Sequence, residues 1–197
     1  MLGDNGIYIK ENIIMNKMLV VIDMQNDFID GALGSSEAQA IVPKVVERIK
    51  EAINNKEIVF FTKDTHFKGE YFSSEEGKNL PVLHCLYDSK GWELHNEIIK
   101  CAKDNNYDLD IRTVYKYSFG CDFWELPSFL NDNVEQIEII GLDTDFCIIT
   151  NALILKTKFS NAHIVINAEC CAGSTPEWHE KALDMLEHCH CEIINRE

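Results

Sequence analysis

The 197-residue chain carries 33 acidic and 18 basic residues, for a formal charge of −15, and it is long enough for one α/β domain with a full core but short for two. The acidic balance argues against nucleic acid as a partner, because binding a polyanion requires clustered Lys and Arg. No apolar run is long enough to span a membrane and no secretory pattern is visible, so we expect a cytoplasmic protein whose eight cysteines are reduced.

Strand and helix patterns alternate along most of the chain. Residues 1–16 carry no catalytic pattern, and we interpret them as an N-terminal extension or a remnant of expression. The first predicted strand runs from Met18 to Asp23, and the helix that follows it is expected to have Pro43 in its first turn. The later predicted elements are a strand at Glu57–Thr62, a long loop at Asp64–Gly91, a helix near Trp92–Cys101, a strand at Ile111–Val114, a helix near Phe123–Leu130, a strand at Val134–Ile140, a helix after Cys147, a strand at Ala162–Asn167, a helix at Pro176–Glu187 capped by Thr175, and a strand at Glu192–Ile194. Such alternation is typical of an α/β fold with a parallel sheet and helices on both faces.

Three of the predicted strands are followed by side chains that can do chemistry. Asp23 ends the first strand, Lys116 follows the strand at Ile111–Val114, and Cys147 lies at the turn between a strand and a helix. The N–H groups and the dipole at the start of a helix favour a thiolate over a thiol and can hold an oxyanion. Because sites in open α/β sheets form at the carboxyl ends of the strands, these residues predict a nucleophilic cysteine with an acid and a lysine beside it.

The motifs that contain these residues resemble a known family. IDMQNDF around Asp23, VYKYSF around Lys116 and GLDTDFC ending at Cys147 are similar to motifs of the isochorismatase-like cysteine hydrolases, which include the nicotinamidases and pyrazinamidases. The resemblance runs from Lys17 to Asn195 and implies a single hydrolase domain over residues 17–197. It also implies a Rossmann-like three-layer sandwich with a mostly parallel six-stranded sheet in the order 3-2-1-4-5-6. Asp23 and Cys147 would then flank the point where the strand order reverses.

The resemblance implies a role for each residue of the catalytic group. Asp23 would take the thiol proton and deliver it to the departing amine, and Lys116 would pair with Asp23 and favour the thiolate. The backbone N–H groups of Cys147 and Asp143 would hold the oxyanion. The peptide bond between Leu142 and Asp143 would be cis, as is common in the family.

A metal site is implied by the region between the second strand and the next helix. The resemblance points to one divalent metal, most simply zinc, with manganese and iron as alternatives for a mixed N/O ligand set. The candidate ligands are Asp64, His66, Glu76 and His84. Glu75 is an alternative to Glu76. Phe28 is placed by the same resemblance against a flat substrate ring.

The expected function is hydrolysis of a small amide through a thioester on Cys147. By resemblance the leading substrates are nicotinamide and pyrazinamide, and the products are the acid and ammonia. Another small amide or ureido compound is the main alternative, and a redox or binding protein with Cys147 as a reactive thiol is a second.

Isochorismate hydrolysis is disfavoured because that reaction does not use the cysteine. Phosphoryl transfer at Asp23 is disfavoured because the Asp-x-Asp spacing and a phosphate-binding glycine loop are missing. The expected partner is a small-molecule amide, and the sequence leaves a homo-oligomer open.

Overall fold

A six-stranded parallel sheet forms the centre of the protein. The computed structural model describes residues 16–110, 112–121, 124 and 134–196. The strands are β1 (Asn16–Ile22), β2 (Ile58–Asp64), β3 (Thr113–Lys116), β4 (Val134–Leu142), β5 (His163–Ala172) and β6 (Glu192–Ile194). Their order is β3-β2-β1-β4-β5-β6 with every neighbouring pair parallel, which confirms the predicted fold class and topology.

Helices cover both faces of this sheet. They are α1 (Asn26–Ile29), α2 (Ser36–Asn54), α3 (Glu75–Asn79), α4 (Asn96–Asp104), α5 (Ile149–Lys158) and α6 (Pro176–His188), with a 3₁₀ turn at Tyr71–Ser73 and a π-helical turn at Thr144–Ile148. None of the helices in the described ranges is long and apolar enough to cross a membrane. The predicted helix near Phe123–Leu130 lies largely outside the described residues.

The core consists of two apolar layers, one on each face of the sheet. Along β1, Val20 and Ile22 pack in the layer that contains side chains of α5 and α6, whereas Leu19 and Val21 pack in the layer beneath α2 and α4. Successive side chains of a strand point to opposite faces, so a strand covered on both sides is apolar throughout. Each buried Val, Leu or Ile contributes about 1.5–3 kcal/mol. The result is the expected three-layer sandwich.

Helix α2 begins earlier than the sequence predicts. Ser35 is its N-cap, and the Ser35 hydroxyl accepts a hydrogen bond from the Ala38 N–H at 3.0 Å. Pro43 therefore lies inside the helix instead of in its first turn, which corrects the prediction. Its side chain is exposed, so the backbone hydrogen bond that proline cannot donate is lost on the solvent side.

The segment predicted as one long loop between Asp64 and Gly91 contains short helical turns. Ser74 caps α3, and its hydroxyl accepts a hydrogen bond from the Gly77 N–H at 3.0 Å. This cap matters for the site because α3 carries Glu76. Helix α4 also starts later than predicted, at Asn96, so that Trp92 precedes it.

The predicted cap of α6 is confirmed, since the Thr175 hydroxyl accepts a hydrogen bond from the Trp178 N–H at 3.2 Å.

Candidate active site

The carboxyl ends of four strands bring the predicted catalytic side chains into contact. Lys116 is the last residue of β3 and pairs in register with Asp64 at the end of β2. Its ammonium Nζ lies 2.8 Å from Asp23 Oδ2, 3.0 Å from Asp64 Oδ1 and 3.4 Å from Cys147 Sγ. All four residues are buried. The lysine therefore joins the carboxylate and the sulfur that the sequence predicts as a catalytic pair.

Asp23 is held in place by a threonine that the sequence analysis missed. The chain leaves β1 with Asp23 at φ +48°. The Thr62 hydroxyl accepts a hydrogen bond from the Asp23 N–H at 3.1 Å and donates one to Asp23 Oδ1 at 2.6 Å. Thr62 and Asp64 are two residues apart in one strand, so they point to the same face. That spacing was the available signal in the sequence.

Gln25 is a second residue that the sequence analysis missed. Its side-chain oxygen accepts a hydrogen bond from the Asp64 N–H at 2.7 Å, and its nitrogen donates to the Asp64 carbonyl at 2.9 Å. The same nitrogen donates to the Trp92 carbonyl at 2.9 Å. Gln25 is fully buried and thereby fixes the backbone of Asp64 at the end of β2.

The approach to Cys147 depends on a close contact between two strands. Gly141 has φ +118°, and a Cβ atom there would lie 2.1 Å from the Ile22 carbonyl oxygen, so only glycine fits. The Leu142–Asp143 peptide bond that follows is cis, as the resemblance implies. The chain then enters the π-helical turn that contains Cys147.

Burial dominates the protonation of the cysteine. It raises the pKa of Cys147 well above the ordinary thiol value, and the carboxylates of Asp23 and Asp64 add to that rise while Lys116 opposes it. Burial also raises the pKa of Asp23, again against the attraction of Lys116. Although burial lowers the pKa of Lys116, its acidic neighbours raise it well above the usual range, so it stays an ammonium. Desolvation of the sulfur thus works against the thiolate that the sequence predicts, which the helix dipole and the lysine favour.

Four side chains beside this group converge as a candidate metal site. Their ligand atoms lie within 4.8 Å of one another, in a set formed by Asp64, His66, Glu76 and His84. His66 Nε2 is 2.8 Å from Asp64 Oδ2, and His84 Nε2 is 3.5 Å from Glu76 Oε1. Asp64 belongs both to the candidate metal site and to the catalytic group, since its other carboxylate oxygen contacts Lys116.

The orientation of the two histidines fits a cation. His84 Nδ1 lies 2.9 Å from the Val82 carbonyl, a contact that favours a proton on Nδ1 and leaves Nε2 as a ligand. His66 Nε2 is buried beside the carboxylates of Asp64 and Glu76, but it makes no hydrogen bond of good geometry in the described residues. Burial lowers the histidine pKa values, but the carboxylates of Asp64 and Glu76 raise the pKa of His66 to about 9 and that of His84 to about 10. The two carboxylates thus favour a positive charge at the candidate metal site.

The geometry also distinguishes the two neighbouring glutamates. Glu76 Oε1 lies 3.4 Å from His66 Nε2, and the histidines lower the pKa of Glu76 to about 2 although burial raises it. The Glu75 side chain is 87% exposed and faces Lys78. Glu76 is therefore the glutamate that faces the candidate site.

Comparison with known proteins decides the family. The family model described as the isochorismatase domain matches residues 17–197.

The chain belongs to the isochorismatase family.

Solved structures with the same fold include several amide-cleaving enzymes by description. The nicotinamidase from Bacillus subtilis is 24% identical, with a TM-score of 0.75 over 91% of this chain and 99% of that one. The pyrazinamidase of Pyrococcus horikoshii in complex with zinc is 25% identical, with a TM-score of 0.72 over 92% and 99%. The N-carbamoylsarcosine amidase from Thermoplasma acidophilum is 22% identical, with a TM-score of 0.70 over 91% and 95%. No match was found among curated proteins.

Two further predicted residues of this family member lie next to the site. Phe28 is 7% exposed and contacts the His84 ring edge-on, with the centroids 5.5 Å apart. Asp143 follows the cis bond, and burial together with the negative charges of Asp145 and Asp23 raises the pKa of its carboxyl to about 7. Both side chains are thus placed close to the catalytic group and the candidate metal site.

Proposed function

We propose that this isochorismatase-family hydrolase cleaves a small amide with Cys147 as the nucleophile, and that nicotinamide and pyrazinamide are the leading substrates. The observation that carries the proposal is the contact of one buried ammonium, Lys116 Nζ, with Cys147 Sγ at 3.4 Å and with Asp23 Oδ2 at 2.8 Å. A cysteine, an acid and a cation within contact distance are the parts that acyl transfer to sulfur requires. The nicotinamidase and pyrazinamidase among the similar structures support the choice of substrate.

In the first half of the proposed reaction, Asp23 accepts the proton of the Cys147 thiol as the sulfur attacks the amide carbon. The raised thiol pKa makes this base necessary, and Lys116 stabilises the negative charge that develops on sulfur. A C–S bond forms while the carbonyl electrons move onto oxygen, where the N–H groups of Asp143 and Cys147 hold them. Asp23 then gives its proton to the amide nitrogen, the C–N bond breaks, and ammonia leaves a thioester.

The second half returns the enzyme to its starting state. Asp23 accepts a proton from a water molecule, whose oxygen attacks the thioester carbon. The C–S bond breaks, the acid is released, and the proton on Asp23 returns to Cys147 as the thiol is restored. Throughout, the Thr62 hydroxyl holds Asp23 in position, because it accepts a hydrogen bond from the Asp23 N–H and donates one to the Asp23 carboxylate.

The candidate metal site supports a metal-assisted form of the same activity. Asp64, His66, Glu76 and His84 would hold one divalent cation, and their mixed N/O donors suit zinc, manganese or iron. When bound, the cation would supply a Lewis-acid position for a heteroatom of the substrate. Zinc is the leading choice because the similar pyrazinamidase was solved in complex with zinc.

The deciding experiment measures ammonia release from a panel of nicotinamide, pyrazinamide, aliphatic amides and ureido compounds, with and without a chelator. Asp23→Asn should lower the turnover of the best substrate at least about 100-fold, because it removes a positioned acid–base group. Asp30→Asn, an exposed aspartate nearby in the chain, is the matched control and should keep activity. A wild-type protein that releases ammonia from none of these compounds would contradict the proposal and favour a redox or binding role for Cys147.

A further inference from the structure

A cleft lies on the face of the sheet opposite the catalytic group. Lys63 and Asp64 are consecutive in β2, so their side chains point to opposite faces. Thr113 and Tyr115 of β3 share the face of Lys63, whereas Lys116 points to the catalytic side. The cleft has a volume of about 430 Å³, within the range of about 300–1,000 Å³ that is usual for small-molecule sites. We call it the Lys63 cleft, and its inner wall is formed by Lys63, Trp92, Leu94, Ile99, Tyr107 and Tyr115.

Lys63 brings a positive charge into this cleft without a direct ion pair in the described part of the chain. The residue is only 8% exposed, and in the described part of the chain no carboxylate pairs with its ammonium and no atom accepts a hydrogen bond from it. Its Nζ lies 2.8 Å from the centroid of the Trp92 ring and 5.6 Å from that of Tyr115. Aromatic faces stabilise a cation only partly, and removing an ammonium from most of its water is costly when no carboxylate contacts it. An anion in the cleft would supply the missing partner.

The aromatic walls of the cleft present faces instead of polar groups. Trp92 Nε1 already donates to the Thr65 hydroxyl at 2.9 Å. The Tyr107 hydroxyl accepts from the Val59 N–H at 3.0 Å and donates to the Val59 carbonyl at 2.7 Å. Both rings are therefore fixed by internal bonds, and their polar atoms already have partners within the protein.

Charges at the rim limit the ligand further. Glu93, Asp108 and Asp110 line the outer part of the cleft and are exposed, and Lys103 is the exposed cation among them. Three carboxylates at the rim repel a ligand with several negative charges, such as a nucleotide, whereas a single buried ammonium can neutralise one.

We propose that the Lys63 cleft is a binding site for a planar aromatic monocarboxylate, held by its carboxylate on the Lys63 ammonium and by its ring against the aromatic wall. The site is separate from the catalytic group and does not depend on which amide is cleaved there. Trp92 lies between the cleft and the catalytic side, since its carbonyl accepts a hydrogen bond from Gln25 and its indole donates one to the Thr65 hydroxyl.

The test follows the indole N–H signals in ¹H–¹⁵N spectra of the full chain while benzoate is added. The signal of Trp92 is assigned with Trp92→Phe. Benzoate should shift this signal in a saturable way, and benzamide, which has the same ring and no charge, should not. Lys63→Gln should weaken benzoate binding about tenfold or more, the fold-change for losing one charge-assisted hydrogen bond. Lys68→Gln, an exposed lysine outside the cleft, is the control and should bind as the wild type does.

Three results would overturn the proposal. The first is a Trp92 signal that does not respond to benzoate, and the second is an equal shift with benzamide. The third is a shift that persists in Lys63→Gln and disappears once Cys147 is alkylated, because that result would place benzoate in the catalytic pocket. Lys63→Met keeps the apolar stem of the side chain and replaces Lys63→Gln if that variant fails to fold. The comparison of benzoate with benzamide on the wild-type protein tests the charge requirement in either case.

Discussion

Replacing Lys116 by methionine tests the central contact of the proposed catalytic group. The ammonium is fully buried and lies between two carboxylates, 2.8 Å from Asp23 and 3.0 Å from Asp64. Methionine has a similar length and no charge, so Lys116→Met leaves the buried carboxylate of Asp23 without its cation, whereas Asp64 keeps the two histidines of the candidate metal site. Removing one partner of a buried ion pair costs about 3–5 kcal/mol, because the other charge remains desolvated.

That magnitude converts into a measurable loss of stability. In a domain of this size each kcal/mol shifts Tm by about 2–4 °C, so Lys116→Met should melt roughly 6–20 °C lower than the wild type. Ammonia release should fall at least about 100-fold at a temperature where the variant is folded, because Cys147 loses the charge that stabilises its developing thiolate.

Urea denaturation and calorimetry of the metal-free proteins measure the stability, and the amide assay measures the turnover. Lys68→Met removes an exposed lysine and serves as the control, with an expected change within about 0.5 kcal/mol. If Lys116→Met is destabilised by less than about 1 kcal/mol, or keeps its turnover, the lysine does not neutralise a buried carboxylate pair and the reasoning is refuted.

Three other predictions concern the nucleophile, the metal and pH. Cys147→Ser should abolish ammonia release with the fold intact, whereas Cys189→Ser, at a half-exposed position, should keep activity. Equal activity of the two variants would remove Cys147 from the mechanism. Glu76→Gln should lower the bound metal measured by elemental analysis, while Glu75→Gln should retain it, and equal metal content in the two would contradict the site. Because the pKa of Asp143 is raised to about 7 in the folded protein, its contribution to stability is present at low pH and is lost as pH rises through about 7. Asp143→Asn should therefore show a smaller loss of stability between about pH 5 and about pH 8, and an unchanged profile would argue against the shift.

The sequence by itself determined the order of elements and the chemistry at the strand ends. Apolar runs, turn residues and caps such as Thr175 act over a few neighbouring residues, so their pattern predicts strands and helices directly. Asp23 and Cys147 were recognisable for the same reason, since Asp23 directly follows one apolar run and Cys147 lies in the turn after another. Family motifs then supplied the strand order, which local patterns do not contain.

Only the tertiary structure decided the state and the partners of those residues. The protonation of Cys147 depends on how completely other segments cover it, and the choice of Glu76 over Glu75 depends on the direction of a short helix relative to His66. That Lys63 has no ion pair within the described residues likewise depends on which segments pack around β2. Desolvation and charge pairing depend on distances between segments far apart in the chain, and those distances exist only once the chain is folded.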